Sequence, residues 1–411
     1  MWRDLLKTVS CLLALSATLH ALHFSADTFK MENDNLFLTG HVHVDDGALV
    51  MNTEEAILHH TKKDIDSLTI TSPVQITLGN VWRISAAELH LDAARHLLEA
   101  KKCTLSFLQD EESSLSIEEC TIVYESPEDP YSFRFENATN VHGKFQNLEL
   151  AADRGAVSYS AANTPSWIFT SQDIFLITSG DFALTSKQID VQADFTRAAF
   201  HRVNFFLRSN IEVEMDKADI ELETKELEAN GALFTIEGET ACFEGTIRFQ
   251  LDTKRGVGDG LFSYNTNNLA YNALGSLWID VETGKITSVP VKLFAAHVDD
   301  FDFSARKFSI YDGPTFVFEN EAKLQRNGSE AIFDSITFIP KTKQFHFRQR
   351  NAYTPFTIVS KNREIAMKAG DLSLDTSGSD LDIRVGDTLE IDIDEAVLQE
   401  KDISECFRNL F

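Results

Sequence analysis

The sequence predicts an all-β protein built from repeated antiparallel strands, and three observations carry that prediction. Apolar and polar residues alternate with period 2 through most of the chain, the pattern of strands that bury one face. No proline occurs from Ser166 to Val289, so nothing in that span obliges a sheet to stop. An acid next to a small residue returns at a nearly fixed interval: Glu55-Ala56, Ala87-Glu88, Glu119-Cys120, Ala152-Asp153 and Ala218-Asp219, with steps between the acids of 33, 31, 34 and 66. The last step is about twice the others, and Gln188 stands near the skipped position. A fixed period of this length marks stacked repeats, here an elongated, solenoid-like array.

Taken in order, the chain opens with Arg3 and Lys7 ahead of an apolar run from Val9 to Leu22. That run is too short for a typical membrane span and the right length for an export signal. Residues 1–21 are read as a signal peptide ending at Ala21; Leu19 is large for its place before the cut, so an uncleaved N-terminal anchor is the alternative. From Ser25 to His60 comes the first repeat. Leu36, Leu38, Val42 and Val44 share one face, Phe37, Thr39, His41 and His43 the other, and Asp45-Asp46-Gly47 makes a turn.

Leu68, Ile70, Val74, Ile76, Leu78, Trp82, Ile84 and Ala86 continue the alternation. Between Ser85 and Lys102 a helix competes, because Ser85 is a good cap and Ala, Leu, Glu and Lys favour helix. The repeat places an acid-led strand there, and Arg95-His96 fits a turn, so the reading is strand, turn, strand. Pro127 and Pro130 mark a boundary, and Lys254 to Gly260, KRGVGDG, reads as a flexible loop before a last third. The expected organisation is therefore 22–126, 127–253 and 261–411 after the signal.

The stretch from Ala26, ADTFKMENDNLFLTGHVHVDDGALVMNTEEAIL, resembles the opening of the OstA-like (LptA-type) family of periplasmic lipopolysaccharide-transport proteins. The small-acid start, the Leu-x-Leu-x-Gly-x-Val-x-Val strand from Leu36 to Val44 and the turn before Glu55-Ala56 carry the resemblance, clearest from Phe24 to Phe107. It implies an open β jelly roll whose apolar groove takes lipid acyl chains, in the periplasm of a Gram-negative-type envelope. On that reading the groove positions are Leu36, Leu38, Val42, Val44, Ile70, Ile76, Ile84, Leu105 and Phe107. The implied partners are lipopolysaccharide or another lipid, and envelope proteins joined by edge-strand pairing, with end-to-end self-association a further expectation.

A net charge of -27 with no basic cluster argues against nucleic acid as a partner. Thirty-one Phe against seven Tyr fill apolar space without asking for hydrogen-bond partners, which suits a lipid groove and a filled core equally. Cys103 and Cys120 flank a hairpin in which a bulge at Glu118-Glu119 would set them face to face; they are either a disulfide or two small buried residues. His41-x-His43 and His59-His60 read as surface histidines, Asp299-Asp300-x-Asp302 and Asp392-x-Asp394 as outward acids, and no metal site or cofactor is expected. No nucleophile elbow, metalloprotease helix or paired-carboxylate motif stands out. The sequence thus points to a non-enzymatic lipid-shielding protein, with a filled-core adaptor that binds proteins by strand addition as the alternative and a β-scaffold hydrolase behind both.

Overall fold

The computed structural model describes residues 23–349, apart from 46–48, 61–64, 79–80, 93–94, 96, 109, 125–132, 161–164, 209–210, 267–268, 299–300, 312–314, 327–328 and 343, and beyond 350 the backbone of five short strands. The export signal, the turn at Asp46-Gly47, the boundary at Pro127 and Pro130, the acids at Asp299-Asp300 and Asp394, and Cys406 lie outside the described residues. The chain divides into two compact units, Met1–Val203 with Asp219–Lys225, and Asn204–Ala218 with Glu226–Phe411. Both are all-β and antiparallel, as the alternation requires.

In the first unit, strands β1 (His23–Ser25) and β2 (Thr28–Glu32) pair with the two halves of β3 (Asn35–Asp45), which pairs along its length with β4 (Leu49–His60). Next, β5 (Ile65–Ile70) and β6 (Val74–Leu78) take the two halves of β4, and β7 (Trp82–Ala86) and β8 (Glu88–Asp92) carry the halves on to β9 (Leu97–Phe107). The stretch where helix competed is therefore strand, turn, strand. Long strands follow singly: β10 (Asp110–Tyr124), β11 (Phe133–Phe145), β12 (Leu148–Ser160), β13 (Ser166–Ser179) and β14 (Phe182–Gln192). Strands β15 (Arg197–Leu207) and β16 (Ile211–Glu221) give residues to both units.

The second unit repeats the plan. Strands β17 (Glu226–Ile236), β18 (Glu239–Gln250), β19 (Arg255–Asn265) and β20 (Leu269–Asp280) pair in succession. Then β21 (Lys285–Pro290) and β22 (Phe294–Val298) divide between the halves of β20, and β23 (Phe301–Ala305) and β24 (Lys307–Tyr311) between those of β25 (Thr315–Arg326), which pairs with β26 (Ser329–Ile339). Strands β27 (Gln344–Arg348) and β28 (Phe356–Ser360) take the halves of β26, and β29 (Arg363–Lys368), β30 (Asp371–Asp375), β31 (Asp382–Val385) and β32 (Glu390–Asp392) extend both rows.

Within each unit the sheet folds back on itself, so that the two halves of its long strands face each other across a core. Rings from opposite halves touch: Trp82 and Trp167 lie 4.3 Å apart between centroids and Phe145 and Phe169 5.0 Å in the first unit, Phe294 and Phe308 5.9 Å in the second. The fold line is a corner at the middle of every long strand, and the sequence turns it in two ways.

In the first unit two consecutive residues point outward and the inward parity flips. Glu54-Glu55, Lys101-Lys102, Glu118-Glu119, Asp153-Arg154 and His201-Arg202 are such pairs. Register shifts between Thr39 and Val42, Phe135 and Ala138, and Ala151 and Gly155 mark the associated bulges. The acid-plus-small repeat of the sequence is this corner, met on alternate long strands. The acid faces water, and Ala56, Cys120, Ala152 and Ala218 lie buried on the inner face next to it, while Ala87 is only partly buried.

In the second unit β17 and β25 bulge in the same way, between Asn230 and Ala232 and between Glu319 and Ala322, but along β18 to β20 the corner is a column of backbone. Gly245 faces Gly260, Gly260 faces Gly275 and Gly275 faces Pro290, with no register shift along β18, β19 and β20. A Cβ on Gly260 would stand 2.2 Å from the Glu244 carbonyl oxygen, and one on Gly275 2.2 Å from that of Val289. The expectation of a flexible loop at Lys254 to Gly260 is therefore corrected: Arg255 to Gly260 is the first half of an interior strand, and its glycines permit close approach of neighbouring backbones. Gly260→Ala is expected to cost on the order of 1–3 kcal/mol or more, read as a lowered urea midpoint for the second unit, whereas nothing stands within 4 Å of a Cβ on Gly238 and substitution there meets only backbone strain.

Candidate functional site

Strand register assembles the predicted apolar positions into continuous rows. Val44 faces Met51, Met51 faces Ile76, Ile76 faces Ile84, Ile84 faces Leu105, and Leu105 faces Leu115. The row runs on through Gly143, Leu150 and Ile177 to Leu184. On the opposite half, Leu36 faces Leu58 and begins a row through Leu68, Leu91, Leu98, Ile122, Phe135, Val157 and Phe169 to Ile189. Ile70 lies beside it, facing Leu89.

Leu38, Val42, Val44, Ile70, Ile76, Ile84, Leu105 and Phe107 are each 1% exposed or less, and Leu36 is half-buried. The nine positions thus line two facing walls and touch other side chains. One void of about 10 Å³ lies between Phe145, Leu150, Ile177, Ile189, Phe200 and Leu222, about the room one water needs.

Of the aromatic centre of this interior, the predicted groove positions included only Phe107. Trp82 packs on Phe107 at 5.3 Å, Phe135 at 5.0 Å and Trp167 at 4.3 Å, and Phe107 on Phe195 at 4.9 Å. Its signal was available for Trp82 and Trp167, which sit on inward positions of alternating strands. Phe195 gave none, since it lies in a turn with φ of 56°. That turn helps to close the margin opposite the corner: Gln146 Nε2 donates to the Phe195 carbonyl at 3.0 Å. In the second unit the Arg208 N–H donates to the Val281 carbonyl at 3.0 Å, which serves the same end. Trp82 Nε1 is buried and has no hydrogen-bond partner among the described residues, an unspent donor in an apolar interior.

At the corner, Cys103 and Cys120 are both buried with their sulfurs 3.7 Å apart. The expectation that they face each other directly is corrected by the register: Cys103 faces Ile117 and Cys120 faces Ala100, so the sulfurs meet on a diagonal across the corner. Both are free thiols. The hydrogen bond with Cys103, together with burial, pushes the Cys120 thiol above its ordinary value, which keeps it protonated and slow to react. Mild oxidation of the folded protein is expected to join Cys103 to Cys120 and leave Cys242, half-buried, open to alkylation. Peptide masses check this, since the joined pair lacks two hydrogens and two alkylated peptides would count against the contact.

Outward at the corners lie charges. Lys101 Nζ donates to Glu88 at 3.0 Å and its strand position faces Glu119; the Glu88 bond raises the Lys101 pKa. His41 Nδ1 meets Asp27 at 2.8 Å beside the Gly40 bulge, while His43 and His59 meet Asn52 and Asn35 at 2.8 and 2.6 Å. Among the described residues no group of three His, Cys, Asp or Glu is placed to hold a metal ion.

The hydrogen bond to Asp27 raises the His41 pKa above 6.5. A raised folded-state value means that the tie between the β1–β2 connection and β3 is full below the unfolded value and is lost as pH rises through the folded one. In Asp27→Asn the imidazole titration of His41, followed by NMR, is expected to fall back toward the ordinary value; an unchanged midpoint would remove Asp27 as the cause.

Neither a family model nor a curated protein matches the chain.

Proposed function

We propose that this is a non-enzymatic exported protein of lipopolysaccharide transport or outer-membrane assembly, shielding lipid acyl chains inside its folded sheet. The carrying observation is the form of the interior: two facing apolar walls, joined by sheet hydrogen bonds along the corner and, on the other margin, by bonds between turns such as Gln146 to Phe195. Parting the turns would admit a chain without breaking a strand ladder. Acyl methylenes entering the interior would each gain roughly 0.8 kcal/mol by leaving water, replacing contacts that the walls make with each other. The unpartnered Trp82 Nε1 supplies a donor for a lipid ester or amide carbonyl. The resemblance of residues 24–107 to OstA-like proteins points the same way.

A second reading, an adaptor with a permanently filled core, is favoured by the near-complete burial of the candidate positions and by the chain's first edge. Among the described residues β2 pairs only with β3, and it exposes Phe29 at 49% and Met31 at 52%. An edge of this kind accepts a partner strand.

Photocrosslinking in cells separates the two. A benzoyl-phenylalanine is placed at Leu36, inward and half-buried, with Thr39 on the outer face as control. A lipid adduct at Leu36 and none at Thr39 is the expected result. A protein adduct or no adduct at Leu36, with protein adducts at Phe29, would favour the adaptor.

A further inference from the structure

The outer face of the second unit carries a feature that the interior does not explain. Trp278 stands between inward Leu277 and Ile279 on β20, points outward and is 55% exposed, whereas Trp82 and Trp167 are buried. It faces Val257 on one neighbouring strand and Thr287 on the other. Thr287 is itself buried although it lies on this outer face, and its hydroxyl meets that of Ser309 at 3.1 Å. Around Trp278 the surface is concave, with a cavity of about 610 Å³, within the range of small-molecule sites.

The cavity's chemistry runs against that of the chain. A protein of net charge -27 places four cations here, Arg248, Arg255, Lys285 and Lys307, against two carboxylates, Glu226 and Asp280. Register explains the grouping: Gln250 faces Arg255, Arg255 faces Asp280, and Asp280 faces Lys285, one row beside the row that holds Trp278. Arg248 Nε is 2.9 Å from Glu228, Arg255 Nε 3.4 Å from Asp280 and Lys307 Nζ 2.7 Å from Glu319. Lys285 Nζ instead lies 4.8 Å from the centroid of the Tyr311 ring, and no ion pair of Lys285 occurs among the described residues. Its charge is the one here not met by a carboxylate.

We infer that this cavity binds an anionic saccharide, with Trp278 as the platform for a sugar ring and Lys285 and Arg255 as the partners of its phosphate or carboxylate. The C–H face of a pyranose packs against an indole ring, and an exposed aromatic side chain on a sheet offers that surface at low cost in lost rotamers. Arginine and lysine supply charge-assisted hydrogen bonds to the anionic group. Glu226, Asp280 and Gln250 accept hydrogen bonds from sugar hydroxyls, and the same two carboxylates, with the acidic chain around them, repel a polyphosphate backbone. That favours a saccharide carrying few charges over a nucleic acid. The site lies on the outward face and is independent of what the interior holds.

Fluorescence of the full-length protein tests the inference, with glucosamine 6-phosphate as the probe. Trp278 is expected to lose its accessibility to acrylamide as the probe is added, and Trp278→Phe to remove the effect while leaving the circular dichroism unchanged. Lys285→Ala is expected to weaken binding about tenfold, the worth of one charge-assisted hydrogen bond. Vesicles displaying a phosphorylated glucosamine lipid identify the source: tighter binding on the vesicle assigns a lipid headgroup, and equal binding assigns a soluble saccharide. No protection by the sugar phosphate, protection equalled by inorganic phosphate, or protection by a single-stranded oligonucleotide alone would each overturn it.

Discussion

The structure depends on one constraint: every long strand must cross the corner without giving up its hydrogen-bond ladder. A flat antiparallel sheet would leave its apolar face in water, so the sheet folds until the two halves of that face meet. The ladder can bend only where an extra residue is let into one strand or where neighbouring backbones come closer than a Cβ allows. The first unit uses the former solution; the second uses the latter along β18 to β20 and the former at β17 and β25. Each is visible in the same place in the fold, Glu118-Glu119 on β10 and Gly260 on β19.

The bulged corner also decides where charge goes. Two consecutive outward residues cannot be apolar without exposing a double patch, so Glu54-Glu55, Lys101-Lys102 and Glu118-Glu119 fill those positions. Exposed pairs such as Lys101 with Glu88 contribute little to stability. What the charges secure is register: a one-residue slip would carry the corner's acids and lysines into the core, and the apolar rows into water. The acidic excess is in part a by-product of building so many corners and edges from acids.

Much of the fold was legible because these constraints leave marks in the sequence. Alternation gave the strands, and the spacing of acid-small pairs gave the corners, although not their meaning. The glycines of β19 misled because Gly-x-Gly spacing has the same composition in a loop as in a crowded strand; only the neighbours' carbonyls, which belong to strands far along the chain, distinguish them. Cys103 and Cys120 were readable as neighbours but not as diagonal ones, since one residue of bulge decides the pairing. The nine apolar positions could be assigned to an inner face, yet period 2 cannot say which of two facing walls a residue joins. Leu36 and Ile70 fall on one wall, and Val44 and Ile76 on the other, purely through register. Trp278 was passed over for a related reason: its outward parity was plain, while the cations around it come from β18, β19, β21 and β24, and meet it only across strands.

Corner and margin differ in what holds them, and that difference bears on whether a filled interior can also be a binding interior. Separating the walls at the corner would break strand hydrogen bonds that hold the ladder together. Separating them at the turns in the first unit strains bonds like that from Gln146 to Phe195, each worth about 1 kcal/mol net, plus the apolar contacts between walls. Those contacts include Trp82 and Phe107 against Trp167, and Phe145 against Phe169, and an acyl chain would replace them with apolar contacts of its own. The exchange of side chain for methylene is then close to neutral, and the cost that remains is that of ordering the lipid and shifting the turns. On the proposed reading, Trp82 Nε1, which has no acceptor among the described residues, would favour a ligand carrying a carbonyl.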